Sequence, residues 1–204
     1  MVARIDNALM QEFGLRALVR EDFAVHGRDW SKPGFRAVAV YRFGIWARTR
    51  RSGALRFIAA LVHRYVNRFV RNVYGIEISF NATIGRRFCV GHQGGIIVHQ
   101  FAVIGDDCII RQGVTLGIGG VSRGNSGPET APELGDRVDI GAGAVVVGKV
   151  RIGDDVNIGP NAVVMVDVPP FTTVIAPPAR FIQRPKPEAN PAPIVPATDA
   201  STPE

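Results

Sequence analysis

Four histidines, His26, His63, His92 and His99, and two cysteines, Cys89 and Cys108, are the side chains of this sequence best able to exchange a proton or act as a nucleophile near neutral pH. An imidazole serves as a general base when it is exposed beside a hydroxyl, and merely fills space when it is packed into a corner. No His, Cys or carboxylate residues have the spacing of a ligand set, so no metal is expected. His26 and His63 fall in helical sequence and are expected to be structural. His99 follows Val98 at an outward position, open to acceptor contact or to plain exposure. His92 lies in Gly91-His92-Gln93-Gly94-Gly95, and its role depends on the elements around it.

After Gly75 the sequence has a period of six. Aliphatic residues stand at Ile78, Ile84 and Val90, after two extra residues at Val98, Ile104, Ile110 and Leu116, and again at Leu134, Ile140, Val146, Ile152, Ile158 and Val164. Glycine follows many of them, as at Gly85, Gly105 and Gly135, and Ala82, Ala102, Cys108 and Ala144 stand four places after one. Each hexapeptide makes one flat side of a three-sided coil, with the aliphatic side chain inside and glycine at the corner. The fold class is therefore mainly β, a parallel β-helix of hexapeptide repeats over residues 76–182 behind an N-terminal α-helical region. Leu116 and Leu134 are eighteen residues apart, so 117–133, which has no hexad, is expected to be an extruded loop that replaces one coil without disturbing the register. Cys89 and Cys108 occupy adjacent hexad positions, which points their side chains to opposite sides of the wall and argues against a disulfide.

Residues 1–75 read as helices. Phe57, Ile58, Leu61, Val62, Tyr65, Val66, Phe69 and Val70 follow a helical stripe that should pack on the β-helix or a neighbouring helix. An earlier helix is expected from Phe35 to Arg51 and a first one before His26, with Trp30-Ser31-Lys32-Pro33-Gly34 as the break. Residues 183–204, rich in Pro and Ala, read as a disordered tail. The net charge is +6, yet Lys32 to Arg71 holds ten Lys and Arg and no Asp or Glu. That stretch is either a solvated face or a weak contact with an anionic membrane, while the absence of interleaved aromatics argues against nucleic acid. With two cysteines and neither a signal peptide nor a long apolar run, the expected location is the cytoplasm, peripheral at the inner membrane face in the second reading.

At GHQGG (91–95), AVIGDDCIIRQGVTLG (102–117), IGAGAVVVGKVRIGDDVNIGPNAVV (140–164) and DVPPFTTVIAPPAR (167–180) the sequence resembles the serine acetyltransferases. In its Gly-His, Gly-Gly and Ile-Val pattern it is also similar to acetyltransferases of surface-polysaccharide gene clusters. The resemblance implies that the parallel β-helix is left-handed and that the protein is an O-acetyltransferase with acetyl-CoA as co-substrate and no metal. It makes His92 the general base, exposed where the two-residue insertion bulges the coil, and Glu77, fifteen positions upstream, the carboxylate that orients it. It lays the pantetheine arm near Gly117, Ala142 and Pro160, with Arg180 at the nucleotide end; corner packing is the alternative for the small residues. It also implies a homotrimer with sites between subunits.

Two departures and one correspondence bear on the acceptor. Gly91 replaces the family's serine-binding aspartate, Glu129-Thr130-Ala131-Pro132 replaces the Asp-Arg-His-Pro that holds the serine carboxylate, and Asp29 is a possible counterpart of an acceptor-binding aspartate in the helical domain. A free amino acid needs a counter-charge at each end. The expected acceptor is accordingly a neutral hydroxyl, such as that of a surface-polysaccharide precursor, with serine in cysteine biosynthesis as the alternative and an inactive trimeric scaffold as the reading from another class. The helical region is short, and Ser-Thr-Pro-Glu lacks the isoleucine that binds the next enzyme of cysteine synthesis, so no cysteine synthase complex is expected.

Overall fold

The computed structural model describes residues 5–50, 53–119, 127 and 130–184. Four helices open the chain: α1 Ile5–Glu12, α2 Gly14–Val25, α3 Pro33–Thr49 and α4 Ala54–Phe69, the last continued by one π-helical turn, Val70–Tyr74. The sequence before His26 thus forms two helices rather than one, parted at Gly14, whose φ of 75° an L side chain rarely adopts. The break before α3 is built as its residues dictate. Asp29 accepts from the main-chain N–H of Ser31 at 2.8 Å and from its hydroxyl at 2.6 Å, and Pro33 then starts the helix with no N–H to satisfy.

The period of six becomes a triangular prism of parallel strands. Its first coil is β1 Ile76–Ile78, β2 Thr83–Ile84 and β3 Cys89–Val90; its second is β4 Ile96–Val98, β5 Val103–Ile104 and β6 Ile109–Ile110. The third is β7 Thr115–Gly117, β8 Glu133–Leu134 and β9 Asp139–Ile140; the fourth is β10 Val145–Val147, β11 Arg151–Ile152 and β12 Asn157–Ile158, and β13 Val163–Val164 and β14 Thr173–Val174 follow. The three faces have the strand orders β1-β4-β7-β10-β13, β2-β5-β8-β11 and β3-β6-β9-β12-β14. Every aliphatic of the repeat is buried, and so are Ala82, Ala102, Cys108 and Ala144, so two side chains per hexad fill the prism.

Glycine marks the corner between the second and third faces because the coils nearly touch there. A Cβ on Gly85 would stand 2.6 Å from the Gly105 carbonyl oxygen, and one on Gly105 would stand 2.4 Å from that of Gly135. The same approach lets each aspartate cap the coil before it. Asp106 accepts from the main-chain N–H of Arg86 at 2.7 Å, Asp136 from that of Asp106 at 2.8 Å and Asp154 from that of Asp136 at 2.9 Å.

The extruded segment does not replace a coil. Leu116 pairs with Val98 and Val146 on the first face, whereas Leu134 pairs with Ile104 and Ile152 on the second. The eighteen-residue step is one ordinary side plus twelve residues inserted at a corner, and its equality with a full turn is coincidental. The ends of the expected loop, Gly117 and Glu133, lie in β7 and β8, and 120–126 and 128–129 lie outside the described residues. So does the expected tail from 185 onward.

An open β-helix leaves the polar edge of its first coil unpaired, and the helices supply the partners. The Tyr41 hydroxyl donates to the Ala82 carbonyl at 2.7 Å, Arg42 to the Ile84 carbonyl at 2.9 Å and Arg48 to the Phe80 carbonyl at 2.9 Å. Arg42 is itself buried against Asp22, with 2.9 Å between Nε and Oδ2. Helix α4 differs from its expectation. Of its stripe only Val70, in the π-helical turn, is buried, while Phe57, Ile58, Leu61, Val62, Tyr65, Val66 and Phe69 are exposed. Tyr41, Arg42 and Arg48 of α3 already supply contacts to the first coil, and among the described residues nothing covers the α4 stripe.

Candidate active site

His92 stands at the corner between the third and first faces, where the two extra residues lie. The turn is pinned on both sides, since the Gly91 N–H donates to the Ile110 carbonyl at 2.8 Å and the Gly94 N–H to the Tyr74 carbonyl at 2.9 Å. Gly95, Gly113, Gly143 and Asn161 carry φ of 67°, 74°, 71° and 58° at successive levels of this edge. His92 is therefore exposed at the end of a continuous ridge rather than packed into it.

The helices fix the strand that leads into this corner. His26, buried, accepts through Nε2 from the Val90 N–H at 3.1 Å while its Nδ1 lies 2.6 Å from the Asp22 carbonyl. Helix α3 begins so close to β3 that a Cβ on Gly34 would stand 2.0 Å from the Val90 carbonyl oxygen. Sequence reasoning classed His26 as structural and missed that it braces the residue two before His92; only the chain's return over sixty residues reveals it.

Glu77 projects from β1 on the outer side of the first face and is exposed, beside Ile97. It lies two residues beyond Gly75, whose carbonyl accepts from the Ile96 N–H at 3.0 Å, so Glu77 and His92 border the same junction of first and second coils. Among the described residues no hydrogen bond or ion pair joins them. His99 lies at the opposite corner of the first face, across β4, where its Nδ1 accepts from the Phe101 N–H at 3.4 Å and partial burial lowers its pKa.

Two of the expected cofactor positions meet. Ala142 and Pro160 line one concavity of about 340 Å³ with Gly141, Asn157, Thr173 and the ion pair of Arg111 and Asp139. It lies along the ridge that begins at His92, about two coil spacings of ~4.8 Å away. Gly117 is at the far end of β7, at another corner, and Arg180 is exposed beyond the last strand; neither lines this concavity. Asp29 spends one carboxylate oxygen on its own turn. Cys108 is buried with its thiol pushed up to about 12 by desolvation, and both cysteines are free thiols.

Comparison with known proteins places this geometry. Residues 131–165 match the family described as bacterial transferase hexapeptide (six repeats). The chain is 39% identical over 155 residues to a serine acetyltransferase of Mycobacterium tuberculosis and 35% identical over 152 residues to one of Synechococcus elongatus, covering 63% and 58% of them. A structure of soybean serine acetyltransferase complexed with serine superposes with a TM-score of 0.66 at 30% identity, covering 86% of this chain and 72% of that one. This chain belongs to the serine acetyltransferase-like hexapeptide-repeat family. Its prism is the left-handed β-helix of that family, preceded by helices. It spans about three fifths of the length of these curated relatives.

Proposed function

We propose that this member of the family transfers an acetyl group from acetyl-CoA to the hydroxyl of a small molecule, with His92 as general base. The observation that carries the reading is the exposed His92 at the head of the ridge whose next levels form the Ala142–Pro160 concavity. The acceptor hydroxyl gives its proton to the imidazole as its oxygen attacks the thioester carbonyl. The carbon–sulfur bond then breaks, and the thiolate of coenzyme A recovers the proton. Glu77 steadies the imidazolium by turning toward it from the neighbouring strand. The amide-rich arm of the co-substrate runs along the ridge past Ala142 and Pro160, with Gly117 and Arg180 contributing from a second subunit of a trimer. Free thiols and acetyl-CoA as donor suit the cytoplasm.

Serine is the acceptor that the relatives support, because the proteins to which this chain is similar in sequence and in fold are named serine acetyltransferases; the reaction then belongs to cysteine biosynthesis. A second reading, a neutral sugar hydroxyl, rests on a specific observation. In the sequence, Gly91 stands ahead of His92 where the family has a serine-binding aspartate, and Glu129-Thr130-Ala131-Pro132 brings neither an arginine for the acceptor's carboxylate nor a second histidine. No cysteine synthase complex is part of the proposal. Release of free thiol from acetyl-CoA, followed with serine and with a panel of neutral sugars, tests both readings. Turnover with serine supports the first, turnover only with sugars the second, and no turnover with any acceptor leaves a trimeric scaffold.

A further inference from the structure

Helix α4 turns its apolar arc away from the rest of the chain. Phe57 is 71% exposed, Tyr65 65% and Leu61 44%, with Ile58, Val62 and Phe69 beside them, and at a helical spacing these residues form one stripe. A stripe of this kind on a monomer marks an interaction surface. Along one flank run Arg64, Arg68 and Arg71. Under that flank, between α4 and α3, lies a cavity of about 460 Å³ bounded by Arg48, Arg56, Arg64, Arg68 and Arg71 together with His63 and Phe80. Among the described residues no carboxylate lines it, and from Lys32 to Ile76 the sequence has none to offer. Arg48 is anchored at its entrance by the Phe80 carbonyl and the Asn81 side chain, each at 2.9 Å. The His63 Nε2 atom is buried there with no hydrogen-bond partner.

Converging guanidinium groups without a counter-charge call for an anion with several acceptor oxygens. The adjoining apolar stripe calls for something that accepts Phe, Leu and Tyr side chains over the whole length of a helix. A second copy paired two-fold through α4 meets the second demand and fails the first, because the same arginines then face one another, and a three-fold contact through α4 is the self-association outcome of the vesicle test. An anionic lipid surface meets both. We propose that α4 docks the protein on an anionic phospholipid membrane, its apolar arc entering the acyl boundary and the arginine cavity receiving a lipid phosphate. This attachment is independent of which hydroxyl is acetylated.

Flotation of the full chain with phosphatidylcholine vesicles, with and without phosphatidylglycerol, tests the proposal. Binding is expected only with the anionic lipid and is expected to weaken as salt rises. Arg64→Glu with Arg68→Glu is expected to lower the partition coefficient about tenfold or more, since each cation near such a surface contributes at a level of about fivefold. Leu61→Ser with Tyr65→Ser is expected to abolish binding, and both pairs of sites are exposed, so circular dichroism should show the fold intact. Lack of binding to anionic vesicles at low salt overturns the proposal. So does equal binding to neutral vesicles, or binding that survives both double variants. Uptake of inorganic phosphate without vesicle binding overturns it in favour of a free-anion site. A wild-type assembly that Leu61→Ser with Tyr65→Ser dissociates, again without vesicle binding, overturns it in favour of self-association.

Discussion

The Nε2 atom of His26 lies 3.1 Å from the main-chain nitrogen of Val90, two residues ahead of His92. Because Nδ1 faces a carbonyl, it must carry the proton, and the neutral ring can then accept the Val90 N–H. His26→Ala orphans a buried donor, a loss of about 1–3 kcal/mol. Turnover should fall more than acetyl-CoA affinity, since the corner holding His92 loosens. Urea unfolding together with thiol-release kinetics checks this, and a variant as stable and active as the parent would show the brace to be dispensable.

Burial lowers the His26 pKa below its ordinary 6.5. The unfolded chain therefore binds the proton more readily than the folded one, so stability is fully present above about pH 6.5 and declines as pH falls from there toward the folded pKa. His63 and His99 are lowered in the same direction, so His26→Ala should reduce the slope of stability against pH in this window without abolishing it. The carboxylates of Asp107 and Asp155, lowered by hydrogen bonds from Arg87 and Arg137, add a loss only below their ordinary 3.8, and their exposure keeps it small. Melting temperatures measured across this range decide it; a flat profile down to pH 5 would remove the histidines from the account.

The coils were legible because a repeat of one buried aliphatic per six residues has a single geometric solution, and each of those residues points inward. The insertion between Leu116 and Leu134 was misread because spacing alone does not say on which face a chain re-enters; the pairing of Leu134 with Ile104 does. The α4 stripe was misplaced for a related reason. Periodicity shows that Phe57, Leu61 and Tyr65 share a side, and not that this chain owns the surface to cover them. Within the candidate site, the exposure of His92 was legible from the bulge, whereas the role proposed for it comes from the resemblance. The pairing of Arg111 with Asp139 was not, because coils that stack in space are 28 residues apart in the chain at that point.

His92→Ala is expected to lower turnover by about two to four orders of magnitude, the usual range for a general base, with little change in acetyl-CoA affinity. Glu77→Gln keeps the shape and removes the charge that would steady the imidazolium, so a smaller loss is expected. Glu77 and His92 are both exposed, and neither change should alter stability measurably. Thiol-release kinetics on the two purified variants settle the roles. Near-normal turnover in His92→Ala takes the base elsewhere, and an unaffected Glu77→Gln leaves Glu77 as a strand residue only.

Two glycines that look alike in the repeat should behave differently, and one of them probes the acceptor. Gly85 has the Gly105 carbonyl carbon 2.5 Å from where its Cβ would be, so Gly85→Ala must push two coils apart, a loss of about 1–3 kcal/mol. Gly91 has nothing nearer than the Arg111 Cγ at 3.5 Å and no left-handed backbone, so Gly91→Asp should fold with its parent's stability. The added carboxylate stands beside His92, and Arg111 is already held by Asp139. It therefore offers a counter-charge to an acceptor's ammonium group, and kcat/KM for serine should rise relative to any neutral hydroxyl the parent accepts. Competition between serine and a neutral sugar in the thiol-release assay measures that ratio. An unchanged ratio in a stable variant would mean that the acceptor's amino end does not reach position 91, and a variant as unstable as Gly85→Ala would mean that the corner at His92 is as tight as the one at Gly85.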